Sequence, residues 1–293
     1  MTIKTKIYQI CYSEETIRQV PDGFLALNYL SNDRPDWREF WPIRNFLKNN
    51  HLSENVLYGF LSPRFFEKTK LNNELIQQYL SANYNNQDIV TFSPFWDLGS
   101  IFQNIFEQGD FFHGGLLNVF QDFSNQYLSG FELKNIYTHS KNNIFCNYFI
   151  ANSKFWSEWL KVADLLYAAS DDENSLLYDA MNKDTNYDGY KLPMKIFVQE
   201  RLPTYCLLSQ PSLQALNYST FLTCASNTPF SRLAKEAVYC DALKIAFSET
   251  GYQHFHSEFV SIRNMINGFF RIAYLIYFCF DCHASILKKF SFQ

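Results

Sequence analysis

The side chains best placed to do chemistry in this chain are carboxylates, arginines and aromatics, because the other usual sets fail on spacing. Asp184, Asn186, Asp188 and Gly189 match the first half of a calcium loop. The twelfth position, however, is Lys195 where a bidentate carboxylate is required, and Pro193 interrupts the sequel, so the stretch reads as a polar loop. Cys279, Cys282 and His283 spell a haem-attachment pattern that would demand a haem-enclosing fold the rest of the chain does not suggest. No Cys and His set has zinc spacing, and His254 with His256 lacks the i, i+4 geometry of a chelating pair on a helix. The glycines from Gly109 to Gly115, with His113 among them, follow a predicted helix and not a strand, so they form no phosphate cradle.

Two acids stand out. Asp97 falls just past a predicted strand, and in open parallel sheets ligands bind beyond the carboxyl ends of the strands, where an acid can hold a metal or a sugar hydroxyl. The same residue would serve equally as a cap for the helix that follows. Glu200, next to Arg201, lies in a predicted helix, where adjacent acid and base more often form a solvated face.

The elements that position these residues alternate. Lys6 to Tyr12 is rich in β-branched and aromatic residues and reads as a strand, and Ser13 with Glu14 and Glu15 starts a helix. Val56–Leu61 and Asp88–Phe92 are further strands, ending at Ser62-Pro63-Arg64 and Ser93-Pro94, with a helix over Leu71–Leu80 between them. Helices are expected over Leu98–Phe106, Leu116–Leu128, Lys154–Ala169 and Met194–Leu208, the last kinked or restarted by Pro203, and a strand over Ile144–Ile150. The order predicts an α/β fold, a mostly parallel sheet flanked by helices, over residues 1–225. Two further helices, Leu233–Ser248 and Glu258–Cys279, predict a helical C-terminal extension over 226–293.

Composition narrows the classes. Hydrophobic residues make up 47% of the 293, with 30 Phe and 19 Tyr, enough apolar surface for a sizeable core without staples. A formal charge of −4 and the absence of any long block of like charge argue against nucleic acid as a partner. Met1 to Lys6 carries no signal-peptide pattern, so a cytoplasmic location is expected, and the seven Cys are expected to stay reduced. The apolar stripe Phe269–Phe280, followed by Lys288 and Lys289, is too short to span a bilayer and predicts a homomeric contact or a contact with the inner membrane surface.

Four segments in the same order resemble bacterial GT-A-type glycosyltransferase-like proteins of polysaccharide biosynthesis. They are Val56-Leu-Tyr-Gly-Phe-Leu-Ser-Pro-Arg64, Asp88-Ile-Val-Thr-Phe-Ser-Pro-Phe-Trp-Asp97, Asn147-Tyr-Phe-Ile-Ala-Asn152 with Phe155-Trp156, and Gln199-Glu-Arg-Leu202. The resemblance spans about residues 4 to 210 and implies a Rossmann-like domain that moves a sugar from a nucleotide sugar to a saccharide acceptor during surface polysaccharide or glycolipid synthesis. It points to Asp97 or Glu200 as base, Arg64 assisting the leaving group, and Asn147, Tyr148, Arg201, Trp96 and Trp156 as substrate contacts. The family's Asp-x-Asp metal motif is missing, since Asp97 stands alone. A divalent cation, manganese or magnesium, would therefore rest on Asp97, with arginine the substitute where no metal is used. A catalytically inactive relative acting as partner or scaffold in a polysaccharide assembly complex is the alternative, and a glycoside hydrolase a third, for which no pair of carboxylates is selected by spacing.

Overall fold

The computed structural model describes residues 3–128, 130–187 and 189–278, and the side chains of 269–278 are outside that description. The chain opens with strand β1 (Lys4–Cys11) and helix α1 (Glu14–Arg18). Ser13 caps α1 by accepting from the Thr16 backbone N–H through its hydroxyl, and the Thr16 hydroxyl accepts in return from the Ser13 backbone N–H, a reciprocal pair that satisfies two otherwise orphaned donors. There follow β2 (Leu25–Asn28), α2 (Phe40–Asn49), β3 (Val56–Leu61), α3 (Phe65–Thr69), α4 (Asn73–Asn83) and β4 (Ile89–Thr91). Next come α5 (Trp96–Ile101), α6 (Ile105–Phe112), α7 (Leu116–Tyr127), β5 (Phe149–Ala151) and α8 (Ser153–Asp171). The last part holds α9 (Tyr178–Asn182), β6 (Asp184–Tyr187), β7 (Tyr190–Pro193), α10 (Met194–Gln199), α11 (Leu202–Ser209), β8 (Ala215–Asn217), α12 (Ala234–Thr250) and α13 (Gln253–Phe278).

Six strands form one sheet in the order β2-β1-β3-β5-β4-β8, and β5 runs against the other five. The sheet is thus mostly parallel and the α/β class holds, with one antiparallel strand at its centre. Side chains alternate across it. Tyr58, Phe60, Ile89, Phe149 and Ala151 join the core formed with α2, α8 and α11, whereas Leu57, Leu61, Val90, Tyr148 and Ile150 pack on α3 and α4. Both faces are covered, which is why these strands read as continuous apolar runs and not as alternating ones. Gly59 is required by the central pairing: a Cβ there would lie 2.5 Å from Cγ2 of Ile150 on β5.

Several boundaries depart from expectation. The helix expected over Met194–Leu208 is two, separated at Glu200 and Arg201, because Pro203 falls in the first turn of α11. The helix expected over Leu98–Phe106 is likewise divided, with Asn104 capping α6. The polar stretch around Asp184 and Asn186 is a β6–β7 hairpin, and Asp188 at its tip lies outside the described residues.

Helix α12 packs on α5, and three contacts tie it to the sheet domain. Lys244 donates to the carbonyls of Gly99, Phe102 and Thr138 at 2.7, 2.7 and 2.5 Å, Asp241 accepts from Ser140, and Lys141 pairs with Glu249. Helix α13 returns along α12. Among the described residues no helix is long and apolar enough to cross a membrane. The expected Phe269–Phe280 contact, Lys288, Lys289 and the Cys279, Cys282, His283 set fall outside the described side chains.

Candidate active site at the carboxyl edge of the sheet

From β1 the chain goes to β2 on one side and to β3 on the other, so the crevice beyond the carboxyl ends of β1 and β3 is the topological switch point of the sheet. Because β5 is antiparallel, its amino end reaches the same edge. It brings Cys146 and Asn147, both in the left-handed backbone region at φ 61° and 55°, and then Tyr148. From β3 comes Ser62, whose hydroxyl meets that of Tyr148 at 2.8 Å. Two consecutive non-glycine residues at positive φ are uncommon and store strain that the surrounding packing must hold.

Charges of both signs gather there. Lys68, on the short helix after β3, places Nζ 3.4 Å from Sγ of Cys146 and lies 5.4 Å and 5.8 Å from the ring centroids of Phe95 and Tyr148. Glu39, at the start of α2, is surrounded by protein yet reached by solvent, as a group lining a crevice is. Burial holds its carboxyl above the usual range; a hydrogen bond from its own backbone opposes this, the negative charge of Glu200 adds to it, and Arg38 and Lys68 act the other way. Arg38 itself has φ 49° and ψ −133°, outside the regions open to ordinary residues. Burial pushes the Cys146 thiol up to about 11 in spite of Lys68, so it is protonated at neutral pH and is no thiolate nucleophile.

Five of the residues expected from sequence meet at this edge. Arg201 is buried and donates to the Phe197 carbonyl at 2.8 Å, to Glu200 at 2.9 Å and to Gln108 at 3.0 Å. Glu200 is held by that pairing with about a third of its side chain exposed (36%). Asn147 donates to Gln199 at 3.2 Å, and Tyr148 is buried beside Ser62. Arg64, at the end of β3, is exposed and forks onto Glu67 at 2.9 and 2.7 Å, a surface pair contributing about 0–1 kcal/mol and easily exchanged for an anionic ligand. Three polar atoms close by are buried without a hydrogen-bond partner: the Tyr12 hydroxyl, Asn147 Oδ1 and Gln199 Nε2.

The other three sit elsewhere. Asp97 is fully buried in the first turn of α5, and its two oxygens accept from the backbone N–H and the hydroxyl of Ser226 at 2.8 and 2.5 Å. The side chain is closed to solvent. Trp156 is core, its indole donating to the Tyr58 carbonyl at 2.9 Å. Trp96 is half-buried against Phe221. Among the described residues no group of three His, Cys, Asp or Glu side chains is placed to hold a metal ion.

Glu39, Lys68, Tyr12 and Cys146 were not singled out by sequence. Lys68 was findable, since it follows Arg64 by one helical turn directly after a strand end. Glu39 had no comparable signal.

No protein-family model, no curated protein and no solved structure matches the chain.

Proposed function

We propose that the chain is a glycosyltransferase of GT-A type, moving a sugar from a nucleotide-sugar donor to a saccharide acceptor in surface polysaccharide or glycolipid synthesis, in the cytoplasm or at the inner face of the membrane. The observation that carries the reading is the ammonium of Lys68, 3.4 Å from Cys146 at the switch point of a mostly parallel sheet, with Arg64 one helical turn before it. Glycosyl transfer from a nucleotide diphosphate expels an anion, and its growing charge needs a cation in a partly desolvated site. Lys68 and Arg64 provide one without a metal, Lys68 from within the crevice and Arg64 from its rim. Asn147 lies at the same edge and suits a hydroxyl group of donor or acceptor, while Tyr148, closed to solvent, braces Ser62 from below.

A thermal-shift screen against UDP, GDP, CDP and CMP sugars, with and without manganese, tests the reading. A ligand at about 100 times its dissociation constant stabilises by about 2.7 kcal/mol. One nucleotide class should shift the transition, equally with and without the metal; no shift from any class removes the proposal.

One observation favours a second reading. The acid best sited by sequence, Asp97, is consumed by Ser226, as it would be in a catalytically inactive relative that serves as partner or scaffold. Such a protein would bind nucleotide sugar weakly or not at all and release no nucleotide.

A further inference from the structure

Beyond the carboxyl end of β4, on the same edge of the sheet as the crevice, a small pocket lies between α5, the segment leading into β5 and the turn after β8. Ser93, Asn143 and Thr220 form its buried wall, and the partly exposed Trp96 and Ser140 stand at its mouth. Its interior of about 10 Å³ seats one water-sized group. Gly99 lets the wall close up: a Cβ there would stand 3.0 Å from Nδ2 of Asn143 and 3.2 Å from the ring of Phe145.

Three donors of this wall are already engaged. The Ser140 hydroxyl donates to Asp241 at 2.6 Å, the Thr220 hydroxyl to the Ser93 carbonyl at 2.8 Å, and the amide nitrogen of Asn143 to the Gly99 carbonyl at 3.0 Å. An acceptor is left over. Asn143 is only 4% exposed, and its Oδ1 has no hydrogen-bond partner among the described residues. A buried amide oxygen without a donor is costly, so the group that suits this pocket is one that donates a hydrogen bond. No charged side chain lines the pocket, so neither an anion nor an ammonium would find a counter-charge to offset its lost hydration. A single neutral hydroxyl meets all three demands of size, charge and hydrogen bonding.

Beside the mouth the surface is apolar and aromatic. Phe221, next in the chain to Thr220, lies with its ring centroid 5.8 Å from that of Trp96, and Phe221 and Leu222 are both exposed. A sugar ring offers the matching combination, an apolar C–H face for the aromatic surface and hydroxyls at its edge. We propose that this pocket is a saccharide-binding site, in which a neutral sugar packs on Trp96 beside Phe221 and donates one hydroxyl to Oδ1 of Asn143. The site is distinct from the Lys68 crevice but close to it: the ring of Phe95 lies 5.4 Å from Nζ of Lys68 and 6.4 Å from the ring of Phe145, which lines the pocket. It does not rest on glycosyl transfer and serves a transferase and an inactive relative alike.

Saturation-transfer NMR titrations of the full chain with the methyl glycosides of glucose, galactose, mannose, N-acetylglucosamine and N-acetylgalactosamine test the site, alongside Trp96→Ala, Asn143→Ala and Phe221→Ala. Asn143→Ala should fold, because the Gly99 carbonyl it releases keeps the Lys244 ammonium at 2.7 Å. Phe221, already exposed, can be truncated without opening the core, and melting curves check all three. At least one glycoside should bind wild type, and bind Trp96→Ala and Asn143→Ala at least about fivefold more weakly. Phe221→Ala should weaken it by about two- to threefold and carries the test of the mouth if Trp96→Ala does not fold. Binding of none of the glycosides, or equal binding by wild type and the folded variants, overturns the site. The nucleotide-sugar screen of wild type is read separately: a protein that binds a glycoside but no nucleotide sugar keeps this site and loses the glycosyltransferase reading, and the reverse result keeps the reading and loses the site.

Discussion

The carboxylate of Asp97, in the first turn of α5, accepts two hydrogen bonds from Ser226, 129 positions further along the chain, one from its backbone N–H and one from its hydroxyl. This contact fixes the start of the segment that leads to α12.

Removing it should therefore unfold the protein more easily and leave the crevice intact. Asp97→Ala should lower the unfolding free energy by about 3 kcal/mol, the usual loss for a buried charged hydrogen-bonding group, read from the guanidinium midpoint. Nucleotide-sugar affinity at low denaturant should be unchanged, which an Asp97 that bound metal or substrate would not allow.

Lys244 ties α12 to α5 by donating to three backbone carbonyls in a site closed to solvent. Lys244→Met keeps most of the volume but leaves three buried acceptors without a donor. Unsatisfied buried polar groups cost about 1–3 kcal/mol each, so the variant should lose at least about 3 kcal/mol and release the protection of α12 in hydrogen exchange.

His139 gives the fold a pH dependence of its own. Burial pushes its imidazole down to about 4, and its Nδ1 accepts the Lys141 backbone N–H, which only the neutral ring can do. An unfolded histidine titrates near 6.5, so between about pH 6.5 and 4 the unfolded chain holds a proton that the folded chain refuses. Stability should fall as pH drops through that window, by an order of 3 kcal/mol from this residue, and His139→Asn should flatten that part of the curve in urea titrations at successive pH values.

Cys146 should behave as an inert thiol at neutral pH despite the lysine beside it. With its thiol pushed up to about 11 by burial, alkylation by iodoacetamide at pH 7.5 should be slow and should accelerate toward pH 10, as followed by peptide mass spectrometry. Rapid labelling at pH 7.5 would contradict the description of the crevice.

Strand β1 was legible from its alternating β-branched and aromatic residues before Ser13, and β3 and β4 as apolar runs closed by Ser62-Pro63 and Ser93-Pro94. The direction of β5 was not, since a central strand buried on both faces has the same pattern whichever way it runs. β2 and β8, four and three residues long, and the β6–β7 hairpin carry too little pattern to separate from loop. In the site, Arg64, Asn147, Tyr148, Glu200 and Arg201 came from the four segments of the family resemblance, and the interruption of the helix at Glu200 and Arg201 was not read. Glu39 was hidden for a physical reason: its placement depends on Arg38 at positive φ, a conformation that no local residue type announces. Asp97 was placed at the right strand end, but only tertiary structure shows that Ser226 takes both its oxygens.

The most direct measurement is calorimetric titration of the preferred nucleotide sugar into wild type and Lys68→Met. The account predicts binding by wild type without added metal and at least about tenfold weaker binding by the variant, as expected when one charge-assisted contact of about 1.5–3 kcal/mol is lost. Equal affinities in the two proteins, or no binding by wild type, would contradict it.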